Sequence, residues 1–311
     1  MTKEEKPLII IDEPQGVVEG QGQGDVPVII VERDPEGPSN GNGPRRRWWV
    51  LGSMVLTIGC CLLAWLGWRY YRALTDIGVP IAVTSEQNIE LLSQASPRGE
   101  TAGVEMLQDT VLGVAFNMYR MTGLRAEITM QEPDTADVDV YLYSRCSDYH
   151  PDFSVIGTLV MNGTVMPSVK ERRLGYFAGA NGNYVIGIAR DEQVRDYVAR
   201  CEDGCMFRQY ILVSDGVLPP RFYLHGKVER RGLGRLANGE LRYIETCNAE
   251  TMWDYADALR EYGFVDAIYI TGGRDYCFYR TADGQRHDLG NVDAYPHKNE
   301  GRVPWVVFRA R

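Results

Sequence analysis

The sequence predicts an α+β domain, with a mixed and largely antiparallel sheet and a few packed helices, carried behind one transmembrane helix. Three observations predict it. A charge-free apolar run extends from Trp48 to Trp68, Asn-Gly and Asp-Gly dipeptides punctuate β-rich runs in the C-terminal two thirds, and one amphipathic helical pattern leads directly into a β-branched run.

The apolar run, WWVLGSMVLTIGCCLLAWLGW, is long enough at about 1.5 Å per residue to cross a hydrocarbon core of roughly 30 Å. Trp48, Trp49, Trp65, Trp68, Tyr70 and Tyr71 mark its two ends, where amphipathic rings favour the membrane interface. Its length, its start well inside the chain and the lack of a small-residue cleavage site before Arg69 argue against a cleaved signal peptide. Arg45, Arg46 and Arg47 outnumber Arg69 and Arg72, so the N-terminal side is expected in the cytoplasm and residues 105–311 are expected to be exported, anchored in the inner (plasma) membrane with the domain periplasmic or otherwise extracytoplasmic.

Residues 1–47 contain an echo, PLIIIDEP from Pro7 and PVIIVERDP from Pro27. Islands this short bury too little surface to offset backbone ordering, so the tail is expected to be disordered. The islands are either strand-addition peptides for a cytoplasmic partner or parts of a spacer. Residues 69–104 read as a stalk or linker.

In the exported part, Asn162-Gly163, Asn181-Gly182, Asp215-Gly216, Asn238-Gly239 and Asp283-Gly284 each fall between β-rich runs and predict hairpin turns. Two helices are expected. One covers Asp191 to Cys201. The other covers Ala249 to Tyr262, with Asn248 as its cap, Met252, Tyr255, Ala256 and Leu259 as its apolar stripe and Gly263 as its stop. It leads into Ala267 to Thr271, a run with the composition of a buried strand.

Net charge is −9, which leaves no basic face for a nucleic acid. Cys60 and Cys61 lie in the span; of the five cysteines outside it, Cys201 and Cys205 are near enough in sequence for a turn to join them as a disulfide. The four histidines are scattered and no second cysteine–histidine pair has ligand spacing, so neither zinc nor any other metal or cofactor is expected.

Gly272 and Gly273 end the buried strand, either where a ligand approaches the backbone closely or in a tight turn or bulge with no ligand. The ordered series YVIGIARDEQV, FRQYILVSDGVLP, ERRGLGRLANGELRYI and WDYADALREYGFVDAIYITGG resembles the phosphodiester glycosidase family, over roughly Tyr176 to Tyr279. In that family an Arg-x-Ala-Ile/Leu-Gly strand, a hairpin, a helix and a strand ending in Asp-Gly-Gly follow one another. The resemblance implies a sugar-1-phosphodiester ligand, with Arg230 as the phosphate-binding cation and Gly272 and Gly273 at the pocket floor. Thr271 stands where the family has its aspartate, and the family's early Asn-Gly-x-Phe element has no match in VYLYSRCSDYHPDFSVIGTLV.

With that aspartate absent, Asp275 and His225 are the candidate catalytic groups and Gln209 a candidate sugar contact. Each has an ordinary alternative: Arg230 paired with Glu229 or Glu240 on a sheet surface, His225 as a structural histidine, Asp275 as a turn cap, and Gln209 as an edge-strand residue. Two functions follow, a hydrolase of glycosyl phosphodiesters in the cell envelope or a catalytically silent module that binds a glycan or an envelope protein.

Overall fold

A computed structural model describes residues 44–75, 84–94, 96, 99–170, 173–219, 222, 224, 226–271, 273–294 and 301–311. The tail's two apolar islands, His225 and Gly272 lie outside the described residues. The chain divides into two units, residues 1–59 and 60–311, with the boundary inside helix α1 (Pro44–Thr75). Within α1, Leu51–Arg69 is long and apolar enough to cross a membrane. The helix therefore outruns the apolar segment by about two turns, and part of the expected stalk is helical.

The second unit continues with α2 (Ser85–Ser93), β1 (Gly103–Val111), β2 (Val114–Thr122), β3 (Leu124–Thr129), β4 (Val140–Arg145), β5 (Leu159–Met161), β6 (Thr164–Val165), β7 (Gly175–Ala180) and β8 (Asn183–Ile188). Then come α3 (Gln193–Val198), β9 (Cys205–Gln209), β10 (Ile211–Val213), β11 (Arg231–Leu236), β12 (Leu241–Thr246), α4 (Met252–Tyr262), β13 (Phe264–Ile270), β14 (Cys277–Arg280), β15 (Arg286–Leu289) and β16 (Trp305–Ala310). They form three sheets, ordered β1-β2-β12-β11-β13-β10, β15-β14-β4-β16-β3 and β6-β5-β9-β7-β8. The fold is α+β, and the strand pairs are antiparallel.

Strand alternation sorts the core. Odd residues of β2 and β12 and even residues of β13, such as Tyr119, Tyr243, Ile268 and Ile270, meet Phe177, Phe207 and Phe308 of the other two sheets in a shared interior. The opposite face of the first sheet, with Phe116, Met118, Ile244 and Ala267, is covered by Met252, Tyr255, Ala256 and Leu259 of α4. That is the expected stripe, and the helix crosses from β12 to β13 over β11, which lies between them.

The expected turns carry left-handed residues where the dipeptides predicted them. Asn162-Gly163 closes β5–β6 and Asn181-Gly182 closes β7–β8, both with two positive φ values, while Gly239 and Gly284 turn β11–β12 and β14–β15.

Several expectations are corrected. The N-cap of α4 is Thr251, not Asn248: its Oγ1 accepts from the Asp254 amide at 3.0 Å and donates to the Asp254 carboxylate at 2.7 Å, a reciprocal cap that Asn248 cannot make from three residues upstream. The first helix is only Gln193–Val198, because Asp191 Oδ1 accepts from the Gln193 amide and Ser85 instead of starting a turn. Cys201 and Cys205 are both free thiols. Cys205 turns into the core and donates to the Ala126 carbonyl, whereas Cys201, three residues past α3, donates back to the Tyr197 carbonyl of that helix. Burial pushes the Cys205 thiol up to about 12. Finally, residues 84–94 are not stalk: Asn88 of α2 is buried and donates to the Tyr176 hydroxyl at 2.7 Å and to the Ile186 carbonyl, so α2 is part of the folded domain.

Candidate functional site

The ends of β4 and β13 and the segments that follow them lie together. Thr271, just past β13, donates to the Ser147 carbonyl at 3.5 Å. Next to Ser147, Asp148 pairs with Arg173 at 3.3 Å, and the Arg173 guanidinium lies 4.1 Å from the centroid of the Tyr210 ring. Tyr210 in turn is fixed by its carbonyl, which accepts from the Tyr269 amide at 2.9 Å. Burial holds the Tyr269 phenol above its usual range, Arg230 pulls it down by charge and by a hydrogen bond, and the Asp148 carboxylate pushes it up. The Arg230 guanidinium lies 5.8 Å from the centroid of the Tyr269 ring.

Arg230 itself is 3% exposed and does not form the surface pair weighed from sequence. Arg274 holds Glu229 at 2.8 Å and Arg242 holds Glu240 at 2.6 Å, which leaves Arg230 to donate to the carbonyls of Gly226 at 2.8 Å and Glu250 at 3.0 Å. Its neighbour Arg231 points to the opposite face of the sheet. There it donates to the Asp275 carbonyl at 2.9 Å and pairs with Glu245 at 3.3 Å, beside the Tyr119 hydroxyl that donates to Glu245 at 2.7 Å.

Asp275 is not simply a turn cap, because its carboxylate pairs with Arg145 at 3.1 Å and Arg145 also donates to the Tyr149 hydroxyl. A side chain on Gly273 would overlap the Glu229 carbonyl oxygen, so the close approach at this glycine is made by another backbone segment. Gln209 is fully buried on β9, a strand interior to its sheet, and not at an edge. Its amide oxygen accepts from the Tyr210 amide, and among the described residues its Nε2 has no hydrogen-bond partner.

Of the residues selected from sequence, Thr271 meets this cluster through Ser147 and Arg230 lies beside the Tyr269 ring, whereas Asp275 pairs with Arg145, Gln209 accepts from the Tyr210 amide, and Gly273 packs on Glu229, the residue before Arg230. Asp148, Arg173, Tyr210 and Tyr269 were missed. The acid stands in RCSDYH, immediately after the strand VYLYSR, and a carboxylate one turn past a buried strand end is the signal that could have found it. Among the described residues, no group of three or more histidines, cysteines and carboxylates could hold a metal ion.

No family model matches the chain, and no curated protein matches it. Among solved structures it is similar to the catalytic domain of zebrafish N-acetylglucosamine-1-phosphodiester alpha-N-acetylglucosaminidase auto-inhibited by its pro-peptide, with 12% identity over 71% of this chain and 86% of that one and a TM-score of 0.50. The likeness is one of fold. A hypothetical protein from Synechocystis matches 67% of this chain and 62% of its own at 10% identity and a TM-score of 0.41.

Proposed function

We propose that the chain is a single-pass membrane protein of the cell envelope, N-terminus cytoplasmic, whose C-terminal domain hydrolyses sugar-1-phosphodiesters of a glycoconjugate. The observation that carries this reading is the Asp148–Arg173 pair, braced on Tyr210 and next to the Ser147 that Thr271 bonds, on a fold similar to a phosphodiester glycosidase domain.

Cleavage requires water to add to the anomeric carbon while the bond from that carbon to the phosphate oxygen breaks, the electron pair leaving with a phosphate monoester. A cation must meet the phosphate and a carboxylate must take the proton from water. Arg173 is suited to meet the phosphate, because its guanidinium is a planar fork braced on Tyr210. Asp148 is suited to take the proton, once an incoming phosphate takes over Arg173. Asp275 is held by Arg145, and Thr271 offers a hydroxyl where the resembling family has a carboxylate. His225 and Gly272 belong to the same proposal, next in sequence to Gly226 and Gly273.

A second reading rests on a specific observation: Asp148 and Asp275 are each neutralised by an arginine, and Thr271 cannot act as a base. In that case the domain recognises a glycan phosphate or an envelope protein without turnover. Full-length protein in detergent, assayed with a panel of sugar-1-phosphodiesters for released sugar and phosphate monoester, separates the two. Turnover of at least one diester is expected; saturable binding with no turnover selects the silent module, and neither binding nor turnover overturns both.

A further inference from the structure

At the far end of the first sheet from the arginine cluster, a cavity of about 590 Å³ opens between the β11–β12 turn, the end of β2, the start of β8 and the C-terminal end of α2. Arg235 lines it, four residues along β11 from Arg231, which at roughly 3.3 Å per strand residue is about 13 Å away. Its volume falls in the range of small-molecule sites.

Most of the charges around it have partners within the fold. Arg235 is bonded to Asp266, Arg120 to Glu105, and Glu240 to Arg242. Arg311 donates to the Leu124 carbonyl and to the Tyr184 phenol. Glu100 offsets the Arg311 charge within the lining, so the cavity carries no net positive charge to select an anion. What remains is hydrogen-bonding capacity of both signs. Among the described residues, the side chains of Gln94, Glu100 and Thr122 make no hydrogen bond or ion pair, although all three line the space. Asn183 donates to the Gln94 carbonyl at 2.7 Å, and Asn238 accepts from the Glu240 amide at 3.0 Å with its oxygen, which leaves its amide nitrogen to donate. Behind these planar polar groups Leu91, Met121 and Leu241 supply an apolar wall.

Alternating donors and acceptors set against an apolar wall, with little net charge, suit a ligand that carries hydroxyls around a hydrocarbon ring. We propose that this cavity is a second binding site, for an uncharged sugar segment. The inference stands apart from the chemistry assigned to Asp148 and holds whether or not the domain is catalytic.

The test uses full-length protein in a detergent without a sugar headgroup, with maltotriose, cellotriose and triacetylchitotriose as probes, inorganic phosphate as the charged control, and calorimetry with ligand-observed NMR as the readout. At least one trisaccharide should bind at concentrations up to about 10 mM. Gln94→Ala, which removes a side chain with no internal bond, and Leu91→Trp, which fills the space from an exposed helix position, should each weaken it about tenfold or more. Thr271→Trp, which crowds the other site, should leave it unchanged. Absence of binding by all three sugars, binding that survives both cavity variants in folded protein, or binding of phosphate in their place overturns the proposal. Loss of sugar binding on Thr271→Trp also overturns it, by moving the sugar to the other site and leaving the proposal for that site intact.

Discussion

Gly273 shows what a single residue reports. From sequence it is either a pocket floor or a tight turn or bulge, and the Glu229 carbonyl occupies the place its side chain would take. Gly273→Ala is therefore expected to lower stability by about 1–3 kcal/mol, measured by urea denaturation, before any effect on a ligand is counted. The buried Arg231–Glu245 pair makes a larger claim. Glu245→Ala leaves a fully buried guanidinium without its carboxylate and should cost about 3–5 kcal/mol; a loss under about 1 kcal/mol would mean that the pair is solvated. A third prediction concerns pH. The Arg309 hydrogen bond holds Asp137 below its ordinary 3.8, with the Asp139 amide adding to it. The folded value is thus the lower one, so the stabilisation is complete above the unfolded value and is lost as pH falls through the folded value. Asp137→Asn should lower the urea midpoint at about pH 7 and narrow its gap to wild type as pH drops below 3.8. The surface pair weighed for Arg230 does not form, because a side chain's partner depends on which neighbouring charges are already taken, and Glu229 and Glu240 go to Arg274 and Arg242.

At the scale of elements, local rules carried much further. The stripe of α4, its left-handed stop at Gly263 with φ 110°, and the paired turns of β5–β6 and β7–β8 follow from residue type and spacing alone. Thr251→Ala should cost about 1 kcal/mol through the lost cap, whereas Asn248→Ala should be close to neutral, which thermal denaturation of the two variants would distinguish. Legibility ended where an element depends on distant partners. Nothing local announces that Ser85–Ser93 is a helix of the domain, because its reason to fold is Asn88 reaching Tyr176 and Ile186 about a hundred residues later. The β1–β2 hairpin turn escaped for a related reason: Leu112, 63% exposed with φ 50°, occupies a left-handed position that Asn or Gly usually fills.

For the whole molecule, the order of elements sufficed to anticipate an α+β fold behind one membrane-length helix, but not the three-sheet arrangement, since strand pairing across long loops leaves no trace in short-range pattern. Topology has a built-in reporter. Cys247 is exposed, while Cys146, Cys205 and Cys277 are buried. If the domain is exported, a membrane-impermeant thiol reagent applied to intact cells at mildly alkaline pH should label the protein, and Cys247→Ser should remove most of that label; alkaline pH is needed because burial raises this thiol. Labelling only after lysis would reverse the orientation. The central claim is that the Asp148–Arg173 pair beside Thr271 acts on a glycosyl phosphodiester, and it is tested most directly by comparing wild-type protein with Asp148→Asn on a turned-over sugar-1-phosphodiester, with kcat and substrate binding measured separately. The account predicts that the isosteric amide keeps the substrate bound while kcat falls about 100-fold or more. An unchanged kcat in a folded Asp148→Asn protein would contradict it.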